Sequence, residues 1–270
     1  MVISDYINVN FVGYIFDDPS KHTGLECLLG VYGYAMVIYC DFSGYSDVAI
    51  GLARWMGFNV NINFNSPYQS ASISEFWRRW HISLSSWLRD YLYISLGGNR
   101  KGKVRQYINL AVTMLLGGLW HGASWNFVIW GGMHGIALAL DKARMAIFKS
   151  VKETRFLRVI GVIVTFHLVC FCWIFFRASS LHDSMVMIRQ IGTNFDARAI
   201  GTLYAGYSNV FMMMVLGFVL HYIPQSICNN LVIRMEKLSI VGFIAIFLAF
   251  MFIFYQIKCA EQVMPIYLQF

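Results

Sequence analysis

Between Gln106 and Leu140 the chain carries no Asp, Glu, Lys or Arg. A membrane-spanning helix needs about 20 mostly apolar residues to cross a hydrocarbon core of about 30 Å. About 35 residues at a 1.5 Å rise reach roughly 52 Å, too long for one span and just long enough for two short ones. Basic residues flank the run: Arg100, Lys101, Lys103 and Arg105 precede it, and Lys142, Arg144, Lys149 and Lys152 follow. Short loops rich in Lys and Arg are retained in the cytoplasm. Both ends are therefore expected on that side, so the run must enter and return. LLGGLWHGASWNF (115–127) supplies the turning point or helix break, with His121 near the deepest part of the path.

The rest of the chain fits a membrane setting. It is 58% hydrophobic and 13% charged, where soluble domains carry roughly 25% charged residues. The net charge of +7 has its basic residues between apolar runs, which points to positive-inside topology rather than to nucleic acid. No RRM, zinc-finger or basic-zipper pattern is present. The six cysteines include no C-x-x-C pair, so buried free thiols are expected rather than a disulfide frame or a metal site. MVISDYINVNF lacks a basic segment followed by an apolar core, so insertion is expected to rely on internal helices. No P-loop, H-E-x-x-H or G-x-S-x-G occurs.

Further spans are expected at 24–52, opened by a T-x-x-E capping box (Thr23, Glu26), and at 159–177, 203–224 and 239–257. Residues 59–72, with Asn59, Asn61, Asn63, Asn65 and Pro67, read as a loop. Ser72 and Glu75 form a second capping box opening EFWRRWHISLSSWLRDYLY. Trp77, Trp80, His81, Leu84, Leu88 and Tyr91 recur there at i, i+3, i+4 spacing, so one amphipathic interfacial helix is predicted. GGNRKGKVR (97–105) reads as a Gly-rich basic loop.

An ionisable side chain at membrane depth is costly and is by default a functional hypothesis. Packing accounts for His134, His167 and His221, a loop position for His22, and an aromatic stripe for His81. At His121 the setting differs. Gly118 and Gly122, like Gly131 and Gly135, make G-x-x-x-G pairs that let helices approach closely. Glycine also permits a break in the helix, which membrane depth tolerates only where it lines a cavity or is buried in protein. Spacing alone leaves packing and function equally open there. Asp41 and Asp47 in DFSGYSD are read as a helix-end carboxylate and a partner of a cation such as Arg54, with catalysis the alternative.

CDFSGYSDVAIGLARWMGF, FWRRWHISLSSWLRDYLYISLGGNRKG and GGLWHGASWNFVIWGGMHG together resemble the membrane-bound O-acyltransferase family. Within it they resemble the bacterial branch of alginate O-acetylation and teichoic acid D-alanylation, and LRDYLYISLGGNRKG favours the alginate side. The resemblance runs from about residue 20 to the PIYLQF end. It implies an all-α polytopic membrane protein, a multi-helix bundle with amphipathic and broken or re-entrant helices around a central tunnel. Residues 1–270 then read as a single membrane domain, the C-terminal part of that fold. Family members carry several helices ahead of this region, so the missing N-terminal helices are expected from a separate chain or frame, and the 270 residues alone are expected to be inactive.

The resemblance also implies roles. His121 in WHG matches the family's catalytic histidine and His81 in RRWHISLS its second functional position. Trp120, Trp80, Asp41, Asp47 and Asn126 are expected along the tunnel, and Arg100, Lys101 and Lys103 on a basic loop facing the donor. No bound cofactor or metal is expected. The acyl donor is expected to be acetyl-CoA or an acyl-carrier thioester on the cytoplasmic side of the cell (inner) membrane. The acceptor is expected to be an exported polysaccharide, with an exported SGNH-type acetyltransferase as partner and membrane lipid around the bundle. D-alanyl transfer, a transporter with broken helices and a non-catalytic remnant are the alternatives.

Overall fold

The computed structural model describes residues 2–148 and 153–257. Lys149 and Lys152 of the basic flank, Lys258, Cys259 and the PIYLQF end lie outside the described residues. Among those described, all regular structure is helical.

The sequence predicts no span before residue 24, yet the chain opens in helix. α1 (Val2–Ile7), a π turn (Asn8–Val12) and α2 (Gly13–Asp17) follow one another in right-handed helical conformation. Ile7, Phe11, Val12, Ile15 and Phe16 are at most 2% exposed, so this segment belongs to the core. α3 (Gly24–Trp55) begins at the predicted capping box: Thr23 Oγ1 accepts from Glu26 N–H, and Glu26 Oε2 accepts from Thr23 N–H at 2.7 Å. Gly30 and Gly33 let Ile15 and Val12 approach its backbone.

The predicted helix over 75–93 is broken. α4 (Ile73–Arg79) ends at Trp80, whose backbone is extended, and His81 has left-handed dihedrals (φ 43°, ψ 57°). α5 (Ile82–Trp87) and a π turn (Leu88–Tyr93) follow. A non-glycine residue in the left-handed region is uncommon and costs of order 1–3 kcal/mol, so it needs support from its surroundings. The 59–72 loop supplies it: Ile82 N–H donates to Asn63 O (3.0 Å) and Asn65 N–H to Arg79 O (3.0 Å). The periodicity of 77–91 is real in sequence, but tertiary bonds override it, and Tyr91 is left exposed.

The second capping box forms by half. Ser72 Oγ accepts from Glu75 N–H (3.2 Å), while the Glu75 carboxylate takes Ala71 N–H (2.9 Å) rather than the cap's own. That carboxylate also pairs with Arg79 (2.8 Å) and Arg158 (3.1 Å). Burial pushes Glu75 up, but these hydrogen bonds and cations outweigh it and hold the carboxyl below its ordinary value. Ser74 N–H donates to Asp141 Oδ2 (3.3 Å).

α6 (Lys103–His121) and α7 (Trp125–Ile147) form the expected hairpin, turning at Gly122–Ser124. The helix starts at Lys103, so the basic loop ends at Gly102. A Cβ on Gly118 would collide with the Phe127 carbonyl, one on Gly131 with the Met114 carbonyl, and one on Gly135 would lie 2.9 Å from Ala111 Cα. These contacts run in antiparallel order, so Lys103 and Arg105 lie with Lys142 and Arg144 at the open end. Within the predicted pairs, Gly118, Gly131 and Gly135 let the backbones meet, while Gly122 caps α6 against the Phe127 ring.

α8 (Arg155–Arg177), α9 (Leu181–Thr193), α10 (Ile200–Tyr222), α11 (Gln225–Glu236) and α12 (Ile240–Ile257) complete the described residues. α3, α8 and 197–222 are long and apolar enough to cross a membrane. These spans and α12 fall where the sequence placed them, while α9 and α11 were not anticipated. Core side chains come from every helix from α1 to α10 except α5, with Trp173, Tyr34, Tyr68 and Phe76 among the largest fully buried. Cys27, Cys170 and Cys172 are buried free thiols.

Candidate active site

His121 is the last residue of α6, and Gly122 after it ends the helix in an extended conformation (φ 160°, ψ 154°). His81 occupies the left-handed break between α4 and α5. The fold brings these two breaks to one cavity of about 400 Å³. Ile38 and Phe42 line it from α3, Trp77 from α4, Leu84 from α5, Trp120 from α6 and Trp130 from α7, with Trp173 and Phe176 from α8 and Trp80 from the break.

The imidazoles are held by rings. His121 stands edge-on to Trp130 (5.3 Å between centroids, 85°) and Phe176 (5.0 Å, 77°), with Trp120 at 5.0 Å. His81 stands edge-on to Phe42 (4.7 Å, 84°), and its Nδ1 lies 3.4 Å from Ser83 Oγ. The two histidines lie within electrostatic reach of each other. Aromatic edges and faces fix ring orientation without supplying a competing acid or base. A neutral imidazole in such a site is suited to take a proton from a hydroxyl.

Of the other residues singled out in the sequence, Trp80 and Trp120 also line the cavity, whereas Asp41, Asp47 and Asn126 do not. Asp41 is buried on α3. Asp47 is exposed, and among the described residues no ion pair joins it to Arg54. Asn126 is structural in its contacts: its Nδ2 donates to Ala178 O (2.9 Å), and its Oδ1 accepts from Ser184 Oγ (3.4 Å), tying α7 to the α8–α9 corner. Arg100 and Lys101 lie in the turn before α6, held by Asn109 Nδ2, which donates to Leu96 O (3.2 Å) and Gly98 O (2.9 Å). Lys103 opens α6, so a helix rise of 1.5 Å per residue puts the basic loop roughly 27 Å from His121.

Of the remaining histidines, His134 and His221 pack in the core, whereas His167, for which packing was expected, and His182 are exposed. His134 is fully buried and accepts from Trp77 Nε1–H (3.3 Å). His221 Nε2 accepts from Tyr68 N–H (3.1 Å), fastening α10 to the Pro67–Gln69 turn. His167 bonds Ile163 O (2.8 Å), and His22 bonds Tyr14 O (3.3 Å). Trp173 and Phe176 join the site unpredicted, their signal being the ring-rich FCWIFF of α8, as does Asn63, its signal being the Asn alternation of 59–65.

Residues 8–182 match the family model described as MBOAT, membrane-bound O-acyltransferase family. The chain belongs to that family. Both cavity histidines and all of α3 to α8 fall inside the matched segment, and α10 to α12 lie beyond it. Together with its long apolar helices, membership makes this membrane-bound O-acyltransferase homologue a multi-pass membrane protein.

The chain is 57% identical over 157 residues to the "Probable alginate O-acetylase AlgI" of Pseudomonas syringae pv. tomato, covering 58% of this chain and 30% of that protein. It is 39% identical over 195 residues to the peptidoglycan O-acetyltransferase of Helicobacter pylori, covering 72% and 37%. It is 31% identical over 166 residues to the teichoic acid D-alanyltransferase of Bacillus subtilis, covering 57% and 42%. The chain thus spans about a third of the length of the acetylating relatives it matches.

Proposed function

We propose that this chain is the acyl-transferring part of a membrane-embedded O-acetyltransferase acting on an exported polysaccharide such as alginate. The observation that carries the reading is the meeting of His121 and His81, from segments far apart in sequence, on one aromatic cavity. His121 is the general base toward the acceptor hydroxyl, and His81 the second imidazole of the site. A hydroxyl is a weak nucleophile until a positioned base takes its proton. The largely apolar lining limits water, and so limits hydrolysis of a thioester.

The donor is acetyl-CoA or an acyl-carrier thioester, approaching from the cytoplasmic side of the inner membrane. The open end of the α6–α7 hairpin, with Arg100, Lys101 and Lys103, attracts its phosphates. The acceptor is reached on the outer side, directly or through an SGNH-type exported acetyltransferase. Higher identity to alginate and peptidoglycan acetylating relatives than to the D-alanyltransferase favours acetyl over D-alanyl transfer. Residues 1–270 act as one membrane domain and need the family's remaining helices for activity.

The test is acetyl content of the exported polymer in cells carrying the chain joined to those helices. His121→Ala is expected to lower it by roughly 10²–10⁴-fold, the range attributed to a general base, with membrane insertion unchanged. Acetylation at the wild-type level would refute the assignment.

A further inference from the structure

The loop before α4 alternates apolar residues and asparagines, FNVNINFN over 58–65. Phe64 enters the ring cluster, 4.6 Å from Phe42 and 5.0 Å from Trp80 between centroids. Asn63 beside it turns to the strained His81 position. Its main-chain oxygen accepts from Ile82 N–H (3.0 Å). Its side-chain Oδ1 accepts from Ser83 N–H (3.1 Å) and from Ser83 Oγ (2.7 Å).

These bonds fix protons further along. The Ser83 N–H is a donor whose hydrogen cannot move, so the Asn63 atom facing it must be the carbonyl oxygen and not the amide nitrogen. That oxygen can only accept. A hydroxyl has one proton, so Ser83 Oγ commits it to Asn63 at 2.7 Å and keeps only lone pairs for its other neighbour. That neighbour is His81 Nδ1 at 3.4 Å. For the contact to be attractive, Nδ1 must carry the imidazole proton, which leaves Nε2 as the basic nitrogen. Which ring nitrogen is basic is set in this way by the bond the other one makes.

We propose that Asn63 and Ser83 are positioning residues that set the tautomer of His81, holding the proton on Nδ1 and making Nε2 the basic nitrogen of the ring. The role of that nitrogen in transfer rests on the function proposed above. The tautomer does not, and it is read without turnover. The same asparagine also anchors the backbone of the break, so one side chain couples the shape of the turn to the chemistry of the ring.

The experiment uses the full chain in lipid nanodiscs, labelled with ¹⁵N-histidine. Long-range ¹H–¹⁵N spectra are recorded at a pH where the ring is neutral, and the His81 signals are identified by their loss in His81→Gln. The wild type is expected to show the proton on Nδ1. Ser83→Ala is expected to lose that preference in favour of Nε2–H, and Ser83→Thr, which restores the hydroxyl, to recover it. A wild-type ring protonated on Nε2, or an Nδ1–H signal unchanged in Ser83→Ala, would overturn the proposal. Unimpaired polymer acetylation by His81→Ala would instead remove His81 from the catalytic reading, with the spectrum still deciding the tautomer.

Discussion

The two histidine-bearing breaks are built in opposite ways. At His121 the break is local: Gly122 ends α6, Ser124 caps α7 by accepting from Asn126 N–H (3.3 Å), and Gly118, Gly131 and Gly135 let the two arms close on each other. At His81 nothing local ends the helix. WRRWHISLS has no glycine or proline, and its apolar spacing is continuous. The chain is forced into the left-handed region and held there by Asn63 and Asn65 from a loop. One break is written in the residues that form it, and the other in residues that come to meet it.

That difference can be attacked from either side. The largest effect is expected at the hairpin. Gly131→Leu would drive a side chain into the Met114 carbonyl, and neither backbone can yield without separating the arms. Overpacking of this kind costs typically 1–3 kcal/mol and occasionally more. Thermal unfolding in detergent is expected to show a large loss of stability, whereas Gly132→Ala next to it, whose Cβ would meet only Leu115 Cδ2 at 3.5 Å, is expected to be close to neutral.

A smaller and more confined effect is expected at the other break. Asn63→Ala deletes the acceptor of Ser83 N–H and Oγ but keeps the main-chain bond to Ile82. Leaving such donors unmet costs about 1–3 kcal/mol where they are buried, and less at this half-exposed rim. Hydrogen exchange is expected to rise at 81–87 and stay unchanged in α6 and α7. Equal loosening of both regions would show that the two breaks are not separately supported.

The smallest effect concerns the anchor of α4. Glu75 is held below its ordinary value, so its ion pairs with Arg79 and Arg158 contribute stability above the usual carboxylate range. That contribution is lost as pH falls through the lowered native value. Partly exposed pairs are worth at most about 1 kcal/mol. Glu75→Gln is expected to lower stability slightly at neutral pH and to flatten its decline in acid. An acid profile identical to the wild type would show that the pairs contribute nothing.

The same contrast explains what was legible in the sequence. Apolar length marked α3, α8, α10 and α12, and charge-free length with central glycines marked the α6–α7 hairpin. Thr23 and Glu26 announced the start of α3 because a cap is a local device. Whatever depends on distant partners was hidden: the break at His81, Glu75 reaching Ala71 and Arg158 rather than its own cap, and Asn126 bonded to Ala178 and Ser184 instead of lining the cavity. α1 and α2 escaped because VISDYINVNFVGYIFD mixes polar and apolar residues, and the packing that buries its apolar half is tertiary. The histidine pair was named from motif resemblance; spacing alone had left packing and function level at His121 and favoured packing at His81.

The proposed site depends most on the α6–α7 hairpin carrying His121 to the end opposite its basic flanks. Accessibility of single cysteines in a cysteine-free background, joined to the family's remaining helices, tests this directly. Lys101→Cys and Phe148→Cys report the flanks, and Ala123→Cys reports the turn; all three positions are exposed. An impermeant maleimide added to intact cells is expected to leave 101 and 148 unlabelled until the membrane is opened, and to reach 123 from outside. Labelling of one flank but not the other would mean that the run crosses once, and the placement of His121 at the turning point would be wrong.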